Sequence, residues 1–309
     1  MKDTILITGG KGFLGRHICQ ELNKLQPNIY IITFNSKEYN LTRNDQTMML
    51  FERFQPNIVI HLAALAGGIG FNKKNPADVI QINSAINYNI FEAVNKYKSE
   101  YFYGAGSVCS YPLNCPTPFR EDTLWDGFPE KTNAGYGQCK RTMLLQQQLF
   151  KEQYGLKGAH MLIVNLFGPH DNFDLESSHV IGALINKFVD AVKDNKNTVE
   201  CWGTGQAYRE FFFVEDCARA FAMAATSKLD TDLPINLGTG LTISIYDLAH
   251  LIGKLTGFTG EIVFTGEVSD GQPKRQLNVS RAKELFGFEA KIDLESGLKR
   301  TIEWYKGQI

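Results

Sequence analysis

No two cysteines in this chain are spaced as C-x-x-C. The six, Cys19, Cys109, Cys115, Cys139, Cys201 and Cys217, are scattered over 309 residues. That speaks against a zinc site, so no metal is expected, and a chain this long needs no disulfide framework. Reduced thiols in a cytoplasm is the simplest reading. An excess of one charge is lacking too: 32 basic residues face 33 acidic ones, for a net charge of −1. Such a balance gives no electrostatic support to a nucleic-acid partner or to membrane-surface attachment. No apolar run approaches the roughly 20 residues of a membrane span. The opening "MKDTILITGG" turns glycine-rich too soon for a secretory signal. Hydrophobic residues make up 43% and charged ones 21%, an ordinary globular balance. One large or two intimate domains are expected.

Short apolar runs alternate with amphipathic stretches through the first half. "TILIT" (4–8), "NIYIITF" (28–34), "NIVIHLAA" (57–64), "YFYGAGS" (101–107) and "GAHMLIVN" (158–165) read as strands. "RHICQELNKL", "TMMLFERF", "DVIQINSAINYNIFEAVNKY" (78–97) and a helix opening near residue 134 lie between them. That alternation predicts an α/β fold, a doubly wound parallel sheet covered on both faces. After residue 165 the rhythm breaks into turns, β-like segments with glycines, and helices such as "HVIGALINKFVDAVKD". A nucleotide-binding domain over 1–165, with a returning segment near 211–238, and a smaller α/β domain over 166–309 are expected.

Gly9, Gly12 and Gly15 are spaced G-x-x-G-x-x-G between the first predicted strand and helix. Glycines there let the backbone turn tightly and approach a pyrophosphate resting on the helix N-terminus. A plain tight turn would use the same residues. The second strand ends in "TFNSKEY", where Asn35, Ser36 and Lys37 precede the first carboxylate, Glu38. An NAD site usually has an acidic residue at that point. Lys11, Ser36 and Lys37 would instead welcome a 2′-phosphate, which favours NADP; simple solvation is the bland alternative for both lysines.

Tyr136 and Lys140 stand four residues apart in "NAGYGQCKRTM", on one face of a helix. Alone, the pair is ordinary surface chemistry. In company with the glycine spacing, "HLAA" and "INSAINYNIFEA", it resembles the extended short-chain dehydrogenase/reductase family. "GSVCSYP", "NLFGPHDNF", "CWGTGQAYREFFFVED", "INLGTG" and "DGQPKRQLNVSRAKELFGF" resemble its GDP-L-fucose synthase subgroup, collinearly from about residue 4 to about residue 304. The resemblance implies an NADPH-dependent 4-reductase and 3,5-epimerase of a GDP-linked 4-keto sugar, a homodimer pairing helices of the cofactor domain. It implies Ser107, Tyr136 and Lys140 as the carbonyl-facing catalytic groups, with the lysine expected to lower the tyrosine pKa. Cys109 and His179 become the acid and base of epimerisation. Phe13, Leu14, Ala63, Lys140 and His179 join the glycines at the cofactor. Asn165, Lys187, Trp202, Arg209 and Arg275 are implied at the nucleotide of the substrate.

The chain departs from that subgroup at Val108 and Ser110 around the thiol, at Gly135 and Gly137 around the tyrosine, at Lys187 in place of a common arginine, and near Arg43. These leave open a related sugar, such as a 4-keto-heptose, and a C4-reductase without epimerase activity. A sister 4,6-dehydratase or 4-epimerase is a further alternative, although Val108 and Cys109 stand where dehydratases need an acid and a base. A non-catalytic cofactor-sensing or RNA-binding protein on the same fold is disfavoured by Ser107, Tyr136, Lys140 and the balanced charge.

Overall fold

The computed structural model describes residues 3–266 and 272–309. Its first half carries strands β1 (Thr4–Thr8), β2 (Tyr30–Ile32), β3 (Ile58–His61), β4 (Tyr101–Ser107) and β5 (Lys157–Ile163). Helices α1 (Phe13–Leu25), α2 (Asn44–Phe54), α3 (Ile69–Lys74), α4 (Pro76–Lys96) and α5 (Ala134–Tyr154) intervene. The second half contributes short strands: β6 (Asn165–Phe167), β7 (Thr198–Cys201), β8 (Tyr208–Arg209), β9 (Phe211–Phe213), β10 (Ile235–Leu237), β11 (Ile243–Ser244), β12 (Glu261–Phe264) and β13 (Lys274–Arg275). Its helices are α6 (Val180–Lys193), α7 (Val214–Thr226), α8 (Ile245–Thr256), α9 (Ser280–Phe286) and α10 (Leu294–Lys306).

Six strands form one parallel sheet in the order β10-β5-β4-β3-β1-β2. Its strands are apolar at successive positions because both faces are covered. Ile5 and Ile7 of β1 join a core with Ile18, Leu22 and Phe221 of α1 and α7. Leu6, between them, enters the opposite core with Phe51, Ile90, Phe91 and Met143, as the two-residue period of a strand requires. A separate core gathers Phe167, Ile185, Phe188, Leu248, Ile252 and Leu298.

The late strand β10 returns to pair with β5, Asn236 opposite Leu162, so the chain crosses back into the first sheet. Asn236 is fully buried there and donates from Nδ2 to the carbonyls of Phe119 and Asn278, while its Oδ1 accepts the Tyr111 hydroxyl at 2.7 Å. That network closes the loop after β4 against the second half. Among the described residues no helix is long and apolar enough to cross a membrane.

Candidate active site

The glycine loop follows β1. Gly9 has φ +72°, in the left-handed region glycine tolerates. A Cβ on Gly15 would stand 2.3 Å from the Gly9 carbonyl oxygen, so only glycine lets α1 begin against the turn. Gly12 caps α1 without a side chain, and no acidic residue lies in its first turn, which holds Phe13 and Leu14. The N–H groups of that turn therefore have no side-chain acceptor and suit an anion. Gly9 also packs on Ala63, whose amide nitrogen would be 3.2 Å from a Cβ on Gly9. Thr8 Oγ1 accepts the N–H groups of Leu62 and Ala63 and lies 2.7 Å from His61 Nδ1. The arrangement fits a dinucleotide laid across the carboxyl ends of β1 and β3.

At the far end of that groove Lys11 is not free. Its Nζ lies 2.9 Å from Glu38 Oε2, which also accepts the Asn35 N–H at 2.7 Å. The Lys11 hydrogen bond, then the Asn35 amide, hold the Glu38 carboxyl below its ordinary value. Asn35 Oδ1 accepts the N–H groups of Lys37 and Glu38, and the Ser36 and Lys37 side chains stay exposed. Sequence reading placed Glu38 beyond the basic cluster and missed that it reaches back to Lys11. Only the convergence of the turns after β1 and β2 at one sheet edge could have signalled it.

The residues expected to face a substrate carbonyl come from β4 and α5. Ser107 ends β4, and its Oγ accepts the Cys109 N–H at 3.1 Å, leaving its own proton free to donate. Tyr136 and Lys140 lie on α5, with Lys140 Nζ 5.5 Å from the tyrosine ring centroid. Here the structure corrects an expectation. The ammonium lies over the ring, and the Tyr136 hydroxyl is pushed up by burial, then by the Cys109 and Cys139 thiols. Lys140 itself, 4% exposed, is pushed down by burial to about 8. Two buried imidazoles near it, His61 and His160, are pushed down to about 3 by burial and then by the lysine charge. A Cβ on Gly137 would lie 2.2 Å from the Cys109 carbonyl oxygen. That glycine lets the thiol loop close onto α5.

His179 caps the N-terminus of α6. It is exposed, yet the protein around its ring pushes its pKa down; its side chain has no hydrogen bond among the described residues. The turn before it is pinned to the loop after β3 by the Gly68 N–H on the Ser177 carbonyl at 3.2 Å. Asn165, on β6, donates to the Glu210 carbonyl at 2.8 Å. Lys187 Nζ lies 5.0 Å over the Trp202 ring and 2.8 Å from the Glu200 carbonyl. Trp202 is 63% exposed, so its ring can stack on a planar base. Arg209 and Arg275 sit opposite each other in the β8–β13 ladder, so both guanidinium-bearing residues start from one place in the fold. Sequence reasoning missed Glu210. This buried carboxylate accepts the N–H groups of Thr239, Gly240 and Leu277 and so fixes Arg209 between two chain segments. The start of "DGQPKRQLN", Asp270 and Gly271, lies outside the described residues. Among those described, no group of three or more His, Cys, Asp or Glu is placed to hold a metal.

Residues 5–238 match the model of the NAD dependent epimerase/dehydratase family. The chain is 33% identical over 305 residues to a GDP-L-fucose synthase of Sinorhizobium fredii, spanning 99% of this chain and 96% of that one. It superposes on a GDP-6-OMe-4-keto-L-xylo-heptose reductase of Campylobacter jejuni with TM-score 0.92 and 27% identity, over 100% of this chain and 99% of that one. A GDP-mannoheptose C4 reductase of Campylobacter jejuni, with NADP bound, superposes with TM-score 0.88 and 28% identity over 99% and 98%.

Proposed function

The chain belongs to the NAD dependent epimerase/dehydratase family, and on that premise we propose that it is an NADPH-dependent C4-reductase of a GDP-linked 4-keto sugar that also epimerises C3 and C5. What carries the reading is the grouping of Ser107, Cys109, Tyr136 and Lys140 between β4 and α5, with similarity to a GDP-L-fucose synthase over nearly the whole chain. NADPH, when bound, supplies the hydride. The Ser107 hydroxyl, its acceptor side already taken by Cys109 N–H, donates to the C4 oxygen. The Tyr136 hydroxyl gives that oxygen its proton as C4 is reduced, because a phenol kept protonated is a competent acid. Lys140 holds a cationic charge beside the ring and lies where nicotinamide-ribose hydroxyls would hydrogen-bond.

Before reduction, the C4 ketone acidifies the C3 and C5 protons. Cys109 removes one as a thiolate, becoming the thiol, and His179, protonated as the imidazolium, returns one on the opposite face, inverting the centre. Ser107 and Tyr136 stabilise the enolate oxygen between the two steps. Arg209 and Arg275 would hold the diphosphate, and Asn165, Lys187 and Trp202 the rest of the nucleotide.

We assign cofactor binding to 1–165 with the returning segment 211–238, and GDP-sugar binding to the rest of 166–309. Exposed apolar side chains on α4 and α5, Ile80, Tyr88, Leu145 and Leu149, support a homodimer through those helices. All six cysteines are free, in keeping with a cytoplasmic enzyme. A second reading, a C4-reductase of a 4-keto-heptose without epimerase activity, is favoured by the heptose reductases among its structural neighbours and by Val108 and Ser110 beside the thiol. NADPH oxidation with GDP-4-keto-6-deoxymannose and with the corresponding heptose tests the proposal. Turnover of either supports a GDP-keto-sugar reductase, and turnover of neither overturns it.

A further inference from the structure

Gln272 is buried where the two halves of the molecule meet, and its amide makes three hydrogen bonds. Its Oε1 accepts from Arg275 Nε at 2.7 Å. Its Nε2 donates to the carbonyls of Leu113 at 2.5 Å and Pro112 at 3.2 Å. The first bond is the one hydrogen bond of the Arg275 side chain among the described residues. The other two seize the chain three and four residues beyond Cys109. Neighbouring contacts run the same way: the Phe119 N–H donates to the Gln276 carbonyl and the Asn278 N–H to the Phe119 carbonyl. The segment carrying Arg275 is thus laced to the loop that carries the thiol.

We propose that Gln272 is a positioning residue that orients Arg275 for the substrate diphosphate and ties that grip to the Cys109 loop. This rests on the reading that Arg209 and Arg275 hold the diphosphate of a GDP-sugar. The physical case is one of fixed orientation. A guanidinium anchored through Nε presents its two Nη groups as a fork, whereas an unanchored arginine must lose rotamer freedom at each binding event. The amide suits this position because it accepts on one side and donates on the other. An aliphatic residue of the same size does neither, and a carboxylate would cancel the arginine charge and repel both carbonyls.

The test is calorimetric titration of GDP and of NADP+ into the wild type, Gln272→Met and Arg275→Met. The expected result is GDP binding weakened about tenfold in Gln272→Met, the loss of a hydrogen bond to a charged group, with the NADP+ Kd within twofold of wild type. In the Arg275→Met background the same change should cost GDP affinity less than twofold, since it acts through the arginine. Solvent deuterium exchange at C3 and C5 should also slow more than C4 reduction in Gln272→Met. Gln272→Glu serves where Gln272→Met does not fold, with the same pattern expected. GDP affinity within twofold of wild type, or parallel weakening of GDP and NADP+, overturns the role of Gln272. An unchanged ratio of exchange to reduction overturns its tie to the loop. A wild type that ignores GDP and binds another nucleoside diphosphate overturns the GDP reading instead.

Discussion

The carbonyl oxygen of Cys109 occupies the space where a side chain on Gly137 would begin, 2.2 Å from the ideal Cβ. The loop bearing the thiol and the helix bearing Tyr136 are in contact because residue 137 is glycine. Gly137→Ala should therefore push the loop off α5, destabilising the fold by about 1–3 kcal/mol as overpacking does. It should slow proton exchange at C3 and C5 more than reduction at C4. Urea unfolding and the two rates measured together check this; wild-type stability and rates would mean that the loop has slack the geometry does not suggest.

Tyr136→Phe keeps the ring under Lys140 and removes the acid. NADP+ affinity should stay near the wild-type value, while C4 reduction falls roughly 100- to 10,000-fold, the usual worth of one general acid. Near-normal turnover in this variant would remove Tyr136 from the mechanism.

Glu38 competes for the lysine that a 2′-phosphate would use. Glu38→Gln should tighten NADPH binding a few-fold with little change for NADH, since it frees Lys11 from an exposed, solvent-screened pair. Lys11→Met should weaken NADPH selectively through the loss of a charge-assisted contact. Fluorescence titration with both cofactors reads each change, and an equal effect on NADH and NADPH would contradict the placement of Lys11 at the phosphate.

Lys140 carries a pH signature. Burial lowers its folded pKa to about 8 against an ordinary 10.5, so the unfolded chain binds this proton more tightly. The cost of the buried ammonium is fully present below about pH 8 and disappears as pH rises towards 10.5. Lys140→Met in the cofactor-free enzyme should thus be more stable than wild type at pH 7, by at most on the order of 3 kcal/mol. The two should converge near pH 10. Unfolding curves that run parallel from pH 6 to pH 10 would show that Lys140 keeps its ordinary proton affinity.

Much of the framework was legible before the structure. "TILIT" and "YFYGAGS" became β1 and β4 at the expected bounds, because a strand buried on both faces leaves an uninterrupted apolar run. The glycine loop stood where the strand and helix patterns placed it. The second half was harder to read. Strands such as Tyr208–Arg209 and Lys274–Arg275 are two residues long, too short for any period, and exist only through their pairing. The contacts that organise the site were equally hidden: Glu38 on Lys11, Gly137 under Cys109, Glu210 beneath residues 239 and 240, Gln272 on Arg275. Each joins residues distant in sequence. The expected lowering of the Tyr136 pKa failed for a related reason, since helical spacing gives the neighbour but not the depth of burial or the Cys109 thiol across the loop.

The most direct test is proton NMR of the product formed from GDP-4-keto-6-deoxymannose and NADPH in deuterated water. The wild type should yield a C4-reduced sugar carrying solvent deuterium at C3 and C5. Cys109→Ala should reduce slowly and introduce none, because C4 reduction needs no proton from the thiol. A wild-type product reduced at C4 with only protium at C3 and C5 would contradict the bifunctional account and leave a C4-reductase alone.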